Sequence, residues 1–129
     1  LLVAGRVARQ VEVLLVSTRS ADADAPNGPG TRVLSYRVLD LAAGDPRGLT
    51  TFLERAFTRC AHATPSRIGG VDALVGSGRS DYGASAAEVV LLRSGARIAW
   101  AVVDGLGWTP DEQARAVGAV AGLLTGPAA

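Results

Sequence analysis

The sequence predicts an α+β domain in which two helices pack on one face of an antiparallel sheet, in the order β-β-α-β-β-β-α. Three observations lead to this prediction. Two apolar runs, residues 89–92 and 98–103, flank a short polar turn as in a β-hairpin. A pattern of helical period lies in the first half of the chain. A second helix with a clear start at Thr109 closes the chain.

The length and composition fit a single folded domain over residues 1–129. A chain of this length can bury a core without the help of disulfides or bound metals, and 48% of its residues are apolar. Thirteen basic residues face twelve acidic ones with no basic stripe among aromatics, which argues against nucleic-acid binding. No apolar run reaches the roughly 20 residues that cross a bilayer. The start at Leu1 indicates a fragment lacking its N-terminus, so membrane anchoring would need sequence not present here.

The strands are predicted from runs of branched residues and from alternation. Residues 11–16 are rich in Val and Leu and form the first strand. In residues 32–41, Leu34, Tyr36 and Val38 share one face, which predicts a half-buried strand paired with the first. Residues 20–30 contain several Gly, Pro and Asp residues and predict an exposed loop. A short strand at 71–75 is expected after Gly69 and Gly70.

The first helix is expected to begin with Asp45 as its cap and Pro46 in its first turn. Pro65 is expected to end it. Apolar residues recur at three- and four-residue steps and predict one buried face. These residues are Leu49, Phe52, Leu53, Ala56, Phe57 and Cys60.

The closing helix begins with Thr109 and Glu112 in the spacing of a capping box. Its predicted apolar face consists of Ala114, Val117, Ala121 and Leu124. The last strand alternates large and small residues. We expect its large residues, Ile98, Trp100 and Val102, to face the helices. Its small residues, Ala99 and Ala101, are expected to face solvent or a partner.

The residues needed for catalysis are mostly missing from the sequence. His62 is the only imidazole, and it follows the first helix, where it caps carbonyls or contacts water. The loop with Ser80 and Asp81 lacks the spacing of a nucleophile elbow. The loop glycines match neither a dinucleotide-binding nor a phosphate-binding pattern, and there is no Lys to complete the latter. We therefore predict no catalytic residue and no cofactor.

Metal binding is not predicted either. Cys60 and His62 are the only soft ligands, whereas a tetrahedral zinc site needs four. Asp22 and Asp24 lack the register of an EF-hand calcium loop. We interpret Cys60 as a small buried hydrophobe and the two aspartates as solvated loop residues.

Five residues are candidates for binding a ligand. Trp100 and Trp108 are the only tryptophans and would form an aromatic wall of an apolar pocket. The alternative is core packing for Trp100 and a staple beneath the closing helix for Trp108. Arg79 and Tyr82, in the glycine-containing loop, are within reach of a ligand held on the sheet. Arg37 would line a groove or, alternatively, stay solvated.

Several segments together resemble a known family over roughly residues 31–124. They are residues 31–37, the helix ending at Arg59 and Cys60, the hairpin 88–97 and the closing Ala- and Leu-rich helix. This arrangement resembles the PknH-like extracellular sensor domain, found on bacterial receptor Ser/Thr kinases and on related lipoproteins. The strand order is also similar to the PsbP/Mog1-like α/β/α sandwich of secreted lipoproteins.

The resemblance implies an extracytoplasmic, non-enzymatic α/β domain, secreted or membrane-anchored, with a cleft for a ligand. It also implies disulfide-paired cysteines, whereas Cys60 is the only cysteine of this chain. The predicted function is ligand binding or sensing, with a small molecule or a protein as partner. Two alternatives stay open: a structural module that forms a homodimer through its sheet, and a small hydrolase using Ser80 or Asp81.

Overall fold

The computed structural model describes residues 7–17, 31–41 and 46–126. These residues form the strands β1 (Val7–Ser17), β2 (Arg32–Leu41), β3 (Thr64–Ile68), β4 (Val71–Gly78), β5 (Ala87–Ser94) and β6 (Arg97–Asp104), and the helices α1 (Pro46–Cys60) and α2 (Pro110–Thr125). Helix α1 lies between β2 and β3 in the chain. The predicted loop at 20–30, with Asp22 and Asp24, and the predicted cap Asp45 lie outside the described residues.

The described strands form one sheet in the order β1-β2-β6-β5-β4-β3. Every neighbouring pair is antiparallel. Strands β3 to β6 follow one another as hairpins, and β2 pairs with β6 across a long stretch of sequence. The antiparallel sheet, the α+β class and the pairing of the first two strands are confirmed.

The sheet carries one helix on each of its faces. Val90 and Leu92 belong to a core cluster that includes Val117 of α2. Leu91, which lies between them, belongs to a second cluster that includes Leu53 of α1. Because side chains alternate between the two faces of a strand, the helices lie on opposite faces. The prediction that both helices pack on one face is wrong, and the molecule has three layers.

The alternation of large and small residues in β6 follows from this layering. Ala99 and Ala101 are fully buried in the cluster beneath α2. Ile98 and Trp100 belong to the cluster beneath α1. The expectation that the two alanines face solvent or a partner is therefore wrong. Their small side chains let α2 approach the sheet closely, while the large side chains fill the other layer.

The amphipathic pattern of α1 is confirmed only in part. The residues that are buried or partly buried are Leu49, Leu53, Ala56 and Phe57. Phe52 is 57% exposed and Cys60 is exposed, so the prediction is wrong for these two residues. Successive helical residues are about 100° apart, which places Phe52 on the flank of the face centred near Leu53. Cys60 is the last residue of the helix.

The sequence did not predict strand β3. Pro65 lies within it and does not end α1, which already ends at Cys60. The strand is at the edge of the sheet, where a residue without an N–H group is tolerated. It is exposed except for the half-buried Ile68, so it shows no clear alternation. Gly69 and Gly70, both with positive φ, join it to β4.

The predicted start of α2 is confirmed. The Thr109 hydroxyl accepts a hydrogen bond from the Glu112 backbone N–H, and the Glu112 carboxylate accepts one from the Thr109 N–H, both at 3.1 Å. The buried face consists of Val117, Val120, Ala121 and Leu124. Val120 takes part in place of the predicted Ala114, which is exposed.

Candidate functional site

Two of the five predicted ligand-binding residues lie together on the α1 side of the sheet. Arg37 of β2 is directly opposite Trp100 of β6 in the strand register. The Arg37 guanidinium carbon lies 5.4 Å from the centre of the Trp100 ring, which is a cation–π distance. Both side chains are half-buried. The stack is therefore part of the packing of this face.

Trp108 lies on the opposite side of the sheet. It packs against the core cluster beneath α2, and its indole N–H donates to the Asp104 carbonyl at 2.7 Å. The sheet thus separates Trp108 from Trp100. The two tryptophans therefore do not form one aromatic wall. The position of Trp108 agrees with the alternative interpretation, in which it packs beneath the closing helix.

Arg79 and Tyr82 occupy a third place, the connection between β4 and β5. The Arg79 side chain is 93% exposed and lies 3.9 Å from the Asp81 carboxylate. Tyr82 is half-buried, and its backbone N–H donates to the Ser80 hydroxyl. The five predicted residues therefore fall into three separate places, and the structure does not gather them into one cleft.

The β4–β5 connection is anchored by Asp104, a residue that the sequence analysis did not select. Asp104 ends β6 and is only 5% exposed. Its carboxylate accepts hydrogen bonds from the Ser80 hydroxyl, from the Asp81 backbone N–H at 3.0 Å and from the Gly105 N–H at 2.7 Å. The hydroxyl of Ser80 is thus engaged by a carboxylate that holds the loop.

Among the described residues, no nucleophile is hydrogen-bonded to an imidazole base as in a hydrolase, and no cluster of metal ligands is present. His62 is exposed, has a φ of +51° and follows the end of α1. The hydrogen bonds of Ser80 involve Asp104 and the Tyr82 backbone, and neither partner is an imidazole. Within the described ranges, no three His, Cys, Asp or Glu side chains lie close enough to hold a metal ion.

A groove opens on the α2 side of the sheet, between the first half of α2 and the strands β3, β4 and β5. Its volume is about 380 Å³. Its walls are formed by Ile68, Val75, Glu88, Pro110, Gln113, Ala114 and Val117. We call this the α2 groove. Helix α2 itself packs mainly over β5 and β6, the central strands of the described sheet.

The α2 groove combines an apolar wall with one carboxylate. Ile68 and Val75 pack against the core cluster that contains Val117, so these side chains form a continuous apolar surface. Glu88 is half-buried at the start of β5. Apolar walls with a few polar groups are typical of small-molecule sites. A sequence signal existed, because Glu88 shares its strand face with the buried Val90.

A second cavity, of about 420 Å³, lies on the α1 side near the turns that follow β3 and β5. Its charged groups already neutralise one another. Arg67 contacts Asp72 at 2.7 Å, and Arg93 contacts Glu54 at 3.3 Å and Asp72 at 3.9 Å. A charged ligand would have to break these pairs. The α2 groove is therefore the better candidate site.

Comparisons with known proteins give no independent indication of function. No protein-family model, no curated protein and no solved structure matches the chain. Among the described residues, neither helix combines the length and the apolar character needed to span a membrane.

Proposed function

We propose that the chain is a non-enzymatic ligand-binding or sensing domain, of the extracytoplasmic kind that its sequence resembles, and that it binds a small molecule in the α2 groove. The helix–sheet–helix layering supports the likeness to α/β/α sandwich domains. The recognition is by shape and apolar contact, since the groove contains no nucleophile beside a base.

The observation that carries this proposal is the groove itself. Its volume of about 380 Å³ lies within the range of about 300–1,000 Å³ that is usual for small-molecule sites. Its walls come from three strands and from α2, so ordered elements hold it open. The apolar side chains of Ile68, Val75 and Val117 would lose water on binding, which is the main source of affinity for an apolar ligand.

Filling the groove tests the proposal. With hexan-1-ol and cyclohexanol as probes, we expect saturable changes in the amide NMR signals of Val75, Gln113 and Val117. Ala114→Trp places a large ring in the groove and should abolish these changes. Ala119→Trp is the matched control, because Ala119 is exposed on the same helix but does not line the groove.

The proposal is wrong if the groove signals shift with neither alcohol and with no charged probe of the same length. It is also wrong if Ala114→Trp and Ala119→Trp bind the alcohols equally well, since the binding would then lie elsewhere.

A second candidate function, a homodimer through the sheet, is favoured by strand β1. This strand is at the end of the described sheet, and its Val11 and Leu15 are 39% and 53% exposed. Long edge strands with exposed apolar residues pair readily with another chain. We propose that two copies pair β1 with β1 around a two-fold axis, which brings Val11 and Leu15 of both strands close together.

Leu15→Lys tests the dimer. We expect light scattering to give a dimer for the unmodified protein and a monomer for this variant, because the lysine would lie beside the apolar side chains of the partner strand and disfavour edge pairing. Leu106→Lys is the control, since Leu106 is 51% exposed and lies outside the strand. A monomer at every concentration, or equal effects of the two substitutions, would exclude the edge-strand dimer.

A further inference from the structure

The α2 groove contains a carboxylate that the described part of the protein leaves without a partner. Glu88 makes no hydrogen bond or ion pair with any described residue. Its neighbours across the sheet are Ser77 on β4 and Val103 on β6. Neither carries a charge. The carboxylate is therefore available to a ligand that enters the groove.

The arginines on this side of the described sheet are already engaged. Arg32 contacts Glu112 at 2.6 Å, and Arg115 contacts Asp111 at 3.0 Å. Arg97 contacts Asp40 at 2.8 Å and also donates to backbone carbonyls at the end of α2. The arginines of the second cavity, Arg67 and Arg93, pair with acidic residues on the other face. None of these described cations contacts Glu88.

We propose that the α2 groove selects an organic cation, a ligand with an apolar body and a protonated amine or guanidinium group. This inference rests on the proposed function, since it concerns the same groove. The apolar body contacts Ile68, Val75 and Val117, and the cation donates hydrogen bonds to the Glu88 carboxylate. The Gln113 side chain adds an amide that can donate a hydrogen bond to the ligand or accept one from it.

The selectivity follows from the surroundings of the charge. A carboxylate beside apolar walls attracts a cation more strongly than one surrounded by water, because the local dielectric is lower. Hydrogen bonds between charged groups are stronger than those between neutral groups. A neutral ligand of the same shape gains only the apolar contact. An anionic ligand is repelled by Glu88.

Three probes of similar shape separate the contribution of the charge from that of the apolar contact. They are hexylammonium, hexan-1-ol and hexanoate, each titrated by NMR. We expect hexylammonium to bind about tenfold more tightly than hexan-1-ol, a value set by one charged hydrogen bond at a half-exposed site. Hexanoate should bind more weakly than the alcohol. Added salt should weaken the binding of hexylammonium and leave that of hexan-1-ol nearly unchanged.

Glu88→Gln keeps the shape of the side chain and removes its charge. We expect this variant to bind hexylammonium and hexan-1-ol equally. Asp111→Asn removes the same charge from a residue that is 82% exposed and does not line the groove, so it should keep most of the preference. Retained preference in Glu88→Gln, or equal binding of the two probes by the unmodified protein, would overturn the inference.

The failure of this inference differs from the failure of the proposed function. If both probes bind the groove with equal affinity, the groove is a ligand site without charge selectivity. If no probe shifts the groove signals, the proposed function fails and the inference fails with it.

Discussion

Leu92→Ala is expected to lower the free energy of unfolding by about 2–5 kcal/mol. Leu92 lies on β5, is fully buried and packs in the cluster between the sheet and α2. Removing its side chain takes apolar atoms out of the core and leaves a cavity that the surrounding β-sheet can close only in part. Urea denaturation measures the change, with the midpoint and slope fitted separately.

Leu123→Ala is the matched control for this substitution. Leu123 belongs to α2, but its side chain is 47% exposed. Its truncation should change the free energy of unfolding by no more than about 0.5 kcal/mol, as at other surface positions. Similar values for the two variants would show that Leu92 does not occupy the central layer beneath α2.

Asp104→Ala is expected to lower the free energy of unfolding by about 3 kcal/mol. The buried carboxylate of Asp104 accepts hydrogen bonds from Ser80, Asp81 and Gly105. Alanine cannot accept any of them, so the Ser80 hydroxyl and the backbone N–H groups of Asp81 and Gly105 all lose their acceptor. Hydrogen exchange at residues 79–86 should also rise, because the β4–β5 connection loses its anchor.

Ser80→Ala separates the anchor from a general loss of stability. It removes one donor but leaves the Asp104 carboxylate with its two backbone partners. We expect a loss of about 1 kcal/mol, the usual value of one hydrogen bond. If Asp104→Ala were no more destabilising than Ser80→Ala, the backbone contacts of Asp104 would contribute nothing to stability.

The elements with a strong local pattern could be predicted from the sequence. The alternation of Leu34, Tyr36 and Val38 marks β2, and the spacing of Thr109 and Glu112 marks the start of α2. In both cases the signal comes from residues close together in the chain. Strand β3 lacked such a signal, because an exposed edge strand needs no buried face and tolerates Pro65.

The side on which each helix packs could not be predicted by local pattern. Residues 89–92 are apolar at every position, which is expected for a strand buried on both faces. That run predicts a strand, but it does not show which helix covers which face. The expectation that the alanines of β6 face solvent or a partner is wrong for this reason, because they lie beneath α2.

The candidate site was harder to predict than the fold. Trp100 and Trp108 are close in the sequence, yet the sheet separates them, because β6 ends between them and the chain crosses to the other face. Glu88 shares a strand face with the buried Val90, but that pattern alone does not distinguish a binding residue from an ordinary polar residue at the start of a strand. Its role as a candidate binding residue depends on the residues around it, which belong to β3, β4 and α2 and are distant in the sequence.

Cys60 gives the protein a chemical handle. It is the only thiol of the chain, and it is exposed at the end of α1, on the layer opposite the α2 groove. A maleimide reagent would therefore attach to a single position. Molecules fixed to a sensor chip through this thiol would all be attached at the same point, the end of α1, and none through α2.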